Sequence, residues 1–322
     1  MGLLTKIKKP LSRTALTVLG IFLSPAFLAV FLAVNVSAAP SPIKELSPLI
    51  DELGRRCAAY GWNDIKIEDI PWQSYRTSHL KRPMIFARFG DSPSDCTLFL
   101  GGIHGDEIPT VYIMLKLSHY IESNPSMFKD RCIIVAPLVN PDGFFSLPPT
   151  RTNARGVDVN RNFPTKEWSM RALRDWERKH GRNKRYYPGK RGGSEKETMF
   201  QMALIKRYKP KKILAVHSPL NAYDFDGPSS ELGSFSNWVE RISQETGHPL
   251  KRFGFFPGSL GNYAGQERDI FTLTLELPTS DPAKGSEYFR QFQPALVKFL
   301  NLPIFIKPPL LRKSAYKTEA AG

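Results

Sequence analysis

Histidine and cysteine are scarce in this chain: 322 residues hold six histidines and three cysteines. None of the thiols Cys57, Cys96 and Cys132 stands in a C-x-x-C pair, which argues against a thiolate zinc site. An odd thiol count leaves at least one unpaired. Cys96 and Cys132 each open an apolar, strand-like segment, so buried free thiols are the expected state, with one disulfide as the alternative. Acids are also in short supply: 30 Asp and Glu face 45 Lys and Arg, a formal charge of +15. That balance points to an anionic partner. No recognisable nucleic-acid-binding motif accompanies it, so nucleic acid is not the expected partner. No internal repeat is present, and no second long apolar run follows the one near the N-terminus.

That single run sits in a telling place. Lys6, Lys8, Lys9 and Arg13 precede it without an acid, the uncharged stretch Ala15 to Val34 follows, and Val36-Ser37-Ala38 closes it with small residues. The order is that of an export signal over residues 1–38, cleaved after Ala38. The run is also long enough to span a bilayer, so an uncleaved anchor is the alternative, and the only membrane contact expected. Either way the body faces the periplasm or cell envelope. Removing the four basic residues of the signal lowers the charge from +15 to +11, which still suits cell-wall polymers and anionic membrane surfaces. A hydrophobic content of 41% against 23% charged residues is that of a folding chain. We expect one catalytic domain over residues 39–305, acting as a monomer, and a basic, disordered tail over 306–322.

Apolar spacing predicts a helix from Lys44 to Tyr60 through Leu46, Leu49, Ile50, Leu53 and Ala58, then strands at Ile65–Ile70 and Pro83–Arg88. Four further apolar runs of strand length each stop at polar residues. Cys96–Ile103 runs into His104 and Glu107 at the start of a helical pattern through Ile108, Val111, Leu115 and the Leu117–Ile121 region. Arg131–Val139 ends at the turn Asn140-Pro141-Asp142-Gly143, Ile213–Val216 at His217, and Ile270–Leu275 at Glu276. Strands alternating with helices predict an α/β fold with largely parallel strands, and such sheets bind ligands beyond the carboxyl ends of their strands. Four polar clusters after four strands thus permit one site. Between Thr165 and Lys212 lies a strongly basic segment that includes Arg171, Arg174, Arg178, Lys179, Arg182, Lys184, Arg185, Lys190 and Arg191.

His104 and Glu107 lie three residues apart across a strand-to-helix turn, where both can point at one ion. Distant His217 would complete two nitrogens and a carboxylate, a set catalytic zinc uses while leaving a position for water. Glu276, in Leu-Thr-Leu-Glu-Leu, is the candidate to take that water's proton, its apolar neighbours raising its own pKa. Each of these residues alone has a blander reading: H-x-x-E arises by chance, His217 alone suits a core or surface histidine, and Glu276 an edge-strand charge. Their conjunction carries the expectation of a zinc site with one metal ion per chain.

Gly-Gly-Ile-His-Gly-Asp-Glu, then Asn-Pro-Asp-Gly, then Gly156-Val157-Asp158-Val159-Asn160-Arg161-Asn162-Phe163 resemble, in order and spacing, the signatures of the zinc metallocarboxypeptidase family. Tyr186-Tyr187-Pro188-Gly189 with Ser194-Glu195-Lys196-Glu197-Thr198 resembles its loop-to-helix element, and Thr274-Leu275-Glu276-Leu277 its catalytic strand; the likeness runs from about Phe86 to Phe299. It implies a mixed, mostly parallel sheet flanked by helices and a single zinc held by His104, Glu107 and His217, with Glu276 as general base. Asn160 and Arg161 would grip a substrate carboxylate, for which the guanidinium fork is suited. Arg151 would polarise the scissile carbonyl, with Arg155 its competitor. His217-Ser218-Pro219-Leu220, Asp226-Gly227-Pro228, Pro257-Gly258-Ser259-Leu260-Gly261 and Glu276-Leu277-Pro278 look most like the branch that cuts the γ-D-glutamyl–diaminopimelate bond of bacterial cell-wall peptides. An anionic wall peptide is then the expected substrate. A carboxypeptidase trimming wall or nutrient peptides, a deacylase with the same first motif and a non-catalytic wall-binding protein are the alternatives. Where the digestive members carry a mobile tyrosine, this chain has Phe253, Phe255 and Phe256; Tyr263 has two readings, a cap on the pocket and, more simply, packing. Leu260, Gly261 and Asn262 are expected to shape the substrate pocket.

Overall fold

The computed structural model describes residues 43–227, 232–251, 253–254 and 256–303. The export signal, the C-terminal tail and Phe255 lie outside the described residues. In chain order the elements are helix α1 (Ile43–Ala59), strands β1 (Trp72–Thr77), β2 (Pro83–Phe89) and β3 (Thr97–Leu100), and helices α2 (Ile108–Glu122) and α3 (Pro125–Phe128). Then come β4 (Ile133–Ala136), α4 (Pro141–Phe145), α5 (Leu173–His180), α6 (Lys196–Tyr208), β5 (Lys212–His217) and β6 (Ala222–Gly227). The chain continues through α7 (Leu232–Thr246), β7 (Leu250–Lys251), β8 (Phe271–Glu276) and α8 (Gly285–Asn301). Among the described residues no helix is long and apolar enough to cross a membrane.

Among the described residues, eight strands join one sheet in the order β1-β2-β4-β3-β5-β8-β6-β7. The central strands β4, β3, β5 and β8 are parallel, while β1 against β2, β2 against β4 and β6 against β8 are antiparallel, and β7 is parallel to β6. The near-continuous apolar runs follow from burial on both faces. Along β5, Ile213 and Ala215 enter one buried cluster with Phe200 and Leu204 of α6, while Leu214 and Val216 enter the other with α2 and α8. Along β3 and β4 the same alternation splits Leu98 and Ile134 from Phe99 and Val135. A period of two places His217 in the row of Ile213 and Ala215, and Glu276 opposite the Leu273 and Leu275 row. His217 and Glu276 are register partners on adjacent parallel strands, so both emerge at the same edge and face.

Two expectations are corrected. Ile65–Ile70 is not a strand: Ile67–Asp69 is a 3-10 turn, and the first strand is Trp72–Thr77. Ile67 and Ile70 are buried under Trp72, whose indole Nε1 donates to the Ile67 carbonyl at 2.8 Å, so their apolar character reflects packing of a connection. The true strand carries Gln73, Ser74 and Arg76 because it forms an edge of the sheet. The cysteines differ too. Cys96 and Cys132 form a disulfide, and Cys57 is free and buried. Parallel pairing of Thr97 with Ile133 sets the two preceding residues side by side, with Cα atoms 4.4 Å apart.

Close backbone approach shapes the ends of the strands. At Gly105, just after β3, an added Cβ would stand 2.1 Å from the Gly143 carbonyl carbon, so the loops after β3 and β4 touch only because that side chain is missing. Val139 and Asn140 amides reach back to Gly101 and Gly102, tying those loops together.

Candidate metal centre and active site

The sheet edge collects what the sequence separates. His104 lies in the turn after β3, Glu107 at the N-terminal boundary of α2, His217 ends β5, and a cis Ser218–Pro219 bond follows it. His104, Glu107 and His217 are only 2%, 2% and 4% exposed. His104 Nδ1 lies 2.7 Å from Glu107 Oε1, His217 Nδ1 lies 2.8 Å from Oε2, and the two Nδ1 atoms are 3.2 Å apart. One donor atom from each residue lies within 4.8 Å of the others, a group that can hold a metal ion. The tautomer fits as well. His104 Nε2 lies 3.0 Å from Asp158 Oδ1, so an Nε2–H donated to that carboxylate leaves the Nδ1 lone pair facing inward. Burial alone would push the Glu107 carboxyl up, but the two imidazoles hold it below the usual carboxylate range, in the anionic form a cation requires.

Arg151 stands beside this group. Its Nη1 donates to Glu107 Oε1 at 3.1 Å, its Nε to Asp158 Oδ2 at 2.9 Å, and its guanidinium lies 5.4 Å from the Tyr186 ring centre. Arg155 is elsewhere, its side chain 47% exposed and 3.7 Å from Glu195. Glu276 is 9% exposed; burial raises its pKa, and Leu220 N–H lies 3.4 Å from its Oε2.

Asn160 and Arg161 share a cavity of about 230 Å³ with His104, Glu107, His217 and Glu276. Asn160 Oδ1 accepts from Leu260 N–H at 2.8 Å, which leaves its Nδ2 as the donor end. The Arg161 guanidinium lies 4.5 Å from the Phe256 ring centre. Leu260 and Gly261 line the same cavity, whereas the Asn262 amide donates to Glu167 at 3.1 Å. Phe253 and Phe256 also line it; Tyr263 does not, packing 5.1 Å from the Phe163 ring and under Arg268.

Three residues in the cavity or behind it were not among the candidates. Asp158 has no histidine nearby in sequence, although it lies within the quoted Gly-Val-Asp-Val-Asn-Arg-Asn-Phe stretch; its carboxyl is held well below the usual range by Arg151 and His104, against the upward pull of burial. Tyr186 brings a phenol to the cavity from a quoted loop. Asp226 lines the wall, accepts from Thr274 Oγ1 at 2.7 Å and packs Oδ1 where a Cβ on Gly261 would stand 2.3 Å away. Burial and the neighbouring Asp224 push its pKa up to about 7.

Two buried amides position the loop that delivers these groups. Asn153 Nδ2 donates to Glu195 and Glu197 at 2.9 and 2.8 Å, and its Oδ1 accepts from the Arg155 and Val157 amides. Asn162 Nδ2 donates to the Pro188 and Arg191 carbonyls, and its Oδ1 accepts from Glu195 N–H. His79, Glu195 and Glu197 form a second group with metal-ligand spacing, in which His79 and Glu195 pair at 3.1 Å.

A parallel-centred α/β sheet with two imidazoles, a carboxylate and a second buried glutamate at its carboxyl edge defines a zinc metallopeptidase. The zinc carboxypeptidase profile Peptidase_M14 matches residues 73–252, more than half of the chain, and the chain belongs to that family of hydrolases. The match contains the His-Glu-His group; Glu276 lies beyond it. The chain is 31% identical over 222 residues to murein peptide amidase A of Escherichia coli (strain K12), covering 67% of this chain and 85% of the relative. To the enzyme of the same name from Vibrio campbellii it is 29% identical over 213 residues, 64% of this chain and 78% of the relative. The murein-tripeptide amidase structure from Escherichia coli O157 superposes with TM-score 0.55 at 27% identity, over 72% of this chain and 92% of that one. Bovine thrombin-activatable fibrinolysis inhibitor in complex with tick carboxypeptidase inhibitor gives TM-score 0.60 at 16% identity, over 82% and 97%, a likeness of fold alone.

Proposed function

We propose that this protein hydrolyses an amide bond in bacterial cell-wall peptides, the γ-D-glutamyl–diaminopimelate bond, after export to the periplasm or cell envelope. The observation that carries the reading is one small cavity offering a carboxylate clamp, Asn160 and Arg161, and an acid, Asp226, beside the metal group and Glu276. A leaving residue with a free carboxylate and a side-chain ammonium satisfies both, and diaminopimelate has both. The names of the similar amidases support the same substrate class.

His104, Glu107 and His217 would hold the zinc, which when bound would supply an activated water and Lewis-acid polarisation of the carbonyl. Glu276 takes the water's proton and returns it to the departing amine, a task its raised pKa favours by moving it toward neutrality. Arg151 faces developing negative charge on the carbonyl oxygen while Glu107 and Asp158 hold its guanidinium in place. Arg161 and Asn160 fix the leaving residue's carboxylate and so align the scissile bond. Residues 1–38 act as the export signal and 39–305 as the catalytic domain.

The test is incubation of the zinc-loaded protein with L-Ala-γ-D-Glu-diaminopimelate, with products identified by mass spectrometry. Release of diaminopimelate is expected. An intact tripeptide alongside hydrolysis of ordinary peptides ending in lysine would replace this reading with that of a terminal-residue carboxypeptidase.

A further inference from the structure

Beside the catalytic cavity lies a second, larger one of about 850 Å³, toward the upper end of the roughly 300–1,000 Å³ usual for small-ligand pockets. The two cavities share Arg151 and Arg185 in their linings, and the larger contains none of Asn160, Arg161 and Asp226. It therefore meets the catalytic cavity at the Arg151 edge and not at the clamp for the leaving residue, so a substrate held by that clamp would extend its acyl side toward it. Its walls combine cations with flat rings. Arg155, Lys184, Trp176 and Tyr187 all line it, while the acid present, Asp106, pairs with Arg185.

The aromatic pair has no role in the core. No residue of α5 is buried, yet the helix carries Trp176, whose Nε1 donates to the Asn183 carbonyl at 2.7 Å and whose ring packs 4.9 Å from that of Tyr187. Rings pinned in this way on a surface groove offer preorganised faces of the kind that pack against the C–H face of a sugar. On the acyl side of a γ-glutamyl bond the substrate keeps the glutamate α-carboxylate, which suits Arg155 and Lys184. Beyond it come alanine and then, in intact murein, the lactyl ether and an N-acetylated sugar ring. A free dipeptide leaves most of this groove empty.

We infer that the groove binds the acyl side of the stem peptide together with the N-acetylmuramyl sugar that carries it, so that glycan-attached peptides are better substrates than free ones. The inference rests on the murein reading for the chemistry at the metal centre. Calorimetry with N-acetylmuramyl-L-alanyl-D-glutamate and with L-alanyl-D-glutamate tests the groove without any turnover. The sugar-bearing ligand should bind at least about tenfold more tightly, a typical span for one good contact surface. Trp176→Ala should bring the two affinities within about threefold, whereas Lys184→Glu, which faces the carboxylate both ligands share, should weaken both alike and leave their ratio standing. Equal affinities in the wild type, or a ratio that Trp176→Ala leaves intact, overturns the inference. In parallel, N-acetylmuramyl tripeptide should be hydrolysed with a higher kcat/KM than the free tripeptide. If neither is hydrolysed, the scissile-bond reading fails while the binding ratio still decides the groove.

Discussion

At the scale of single residues the site depends on where charge is placed and what surrounds it. Glu276 is buried and raised in pKa, so Glu276→Gln removes a proton acceptor without touching the proposed ligands. We expect kcat to fall about 10²- to 10⁴-fold, the usual contribution of a general base, with one zinc per chain retained by metal analysis; an active variant would falsify the assignment. Asp226 gives a prediction with a sign. Its folded pKa of about 7 stands above the ordinary value near 3.8, so between those values the folded state holds the extra proton. Stability from this group is therefore lost as pH rises toward 7, and above it the carboxylate is anionic, buried and beside Asp224. Asp226→Asn keeps an acceptor for Thr274 and should raise Tm at pH 8 by about 2 °C or more, with a smaller gain at pH 5. The same variant should lose preference for a leaving residue with a side-chain ammonium over one lacking it, a preference that in the wild type grows as pH passes 7. A Tm gain equal at both pH values, or an unchanged preference, removes Asp226 from the substrate site.

At the scale of elements, strand ends were the legible part of the sequence. Apolar runs stopping at His104, His217 and Glu276 are visible because parallel strands are buried on both faces and must turn polar where they leave the core. Register is different. That His217 lies opposite Glu276, or Cys96 beside Cys132, depends on pairing between segments 59 and 36 residues apart, which no local pattern encodes. Three thiols likewise leave the choice of pair open until β3 and β4 are set side by side. Asp158 was hidden for the same reason, its imidazole partner lying 54 residues away. The first strand was misplaced because burial of Ile67 and Ile70 in a connection mimics strand alternation. The disulfide bridges strands that already pair, so its effect falls mainly on the unfolded chain. Closing a loop of this length contributes about 4 kcal/mol in the chain-entropy treatment. Denaturant unfolding of a Cys96→Ala/Cys132→Ala variant should show a loss approaching that figure with an unchanged fold; no loss would mean that the reduced chain is already held together by the β3–β4 pairing.

At the scale of the whole molecule, charge is arranged as well as abundant. The cations from Arg171 to Arg191 are exposed on the unburied α5 and the turns on either side of it, next to the acyl-side groove that Lys184 and Arg185 line, while Asp226 lines the catalytic cavity. A long-range field of this kind attracts an anionic polymer from any direction, whereas the cavity alone selects the bond to be cut. These roles separate experimentally because only the first is screened by salt. Lys190 and Arg191 are exposed and neither lines the catalytic cavity, so neutralising both removes field without removing a contact to the leaving residue. Binding of the Lys190→Gln/Arg191→Gln protein to isolated sacculi should be weaker than wild type at low ionic strength, where the screening length is about 30 Å at 0.01 M. The difference should vanish near 1 M, where it is about 3 Å. Hydrolysis of the free tripeptide should be unchanged at every salt concentration. A deficit that persists in high salt would mean that these side chains touch the polymer directly, and an unaltered affinity at low salt would mean that the basic surface plays no part in finding it.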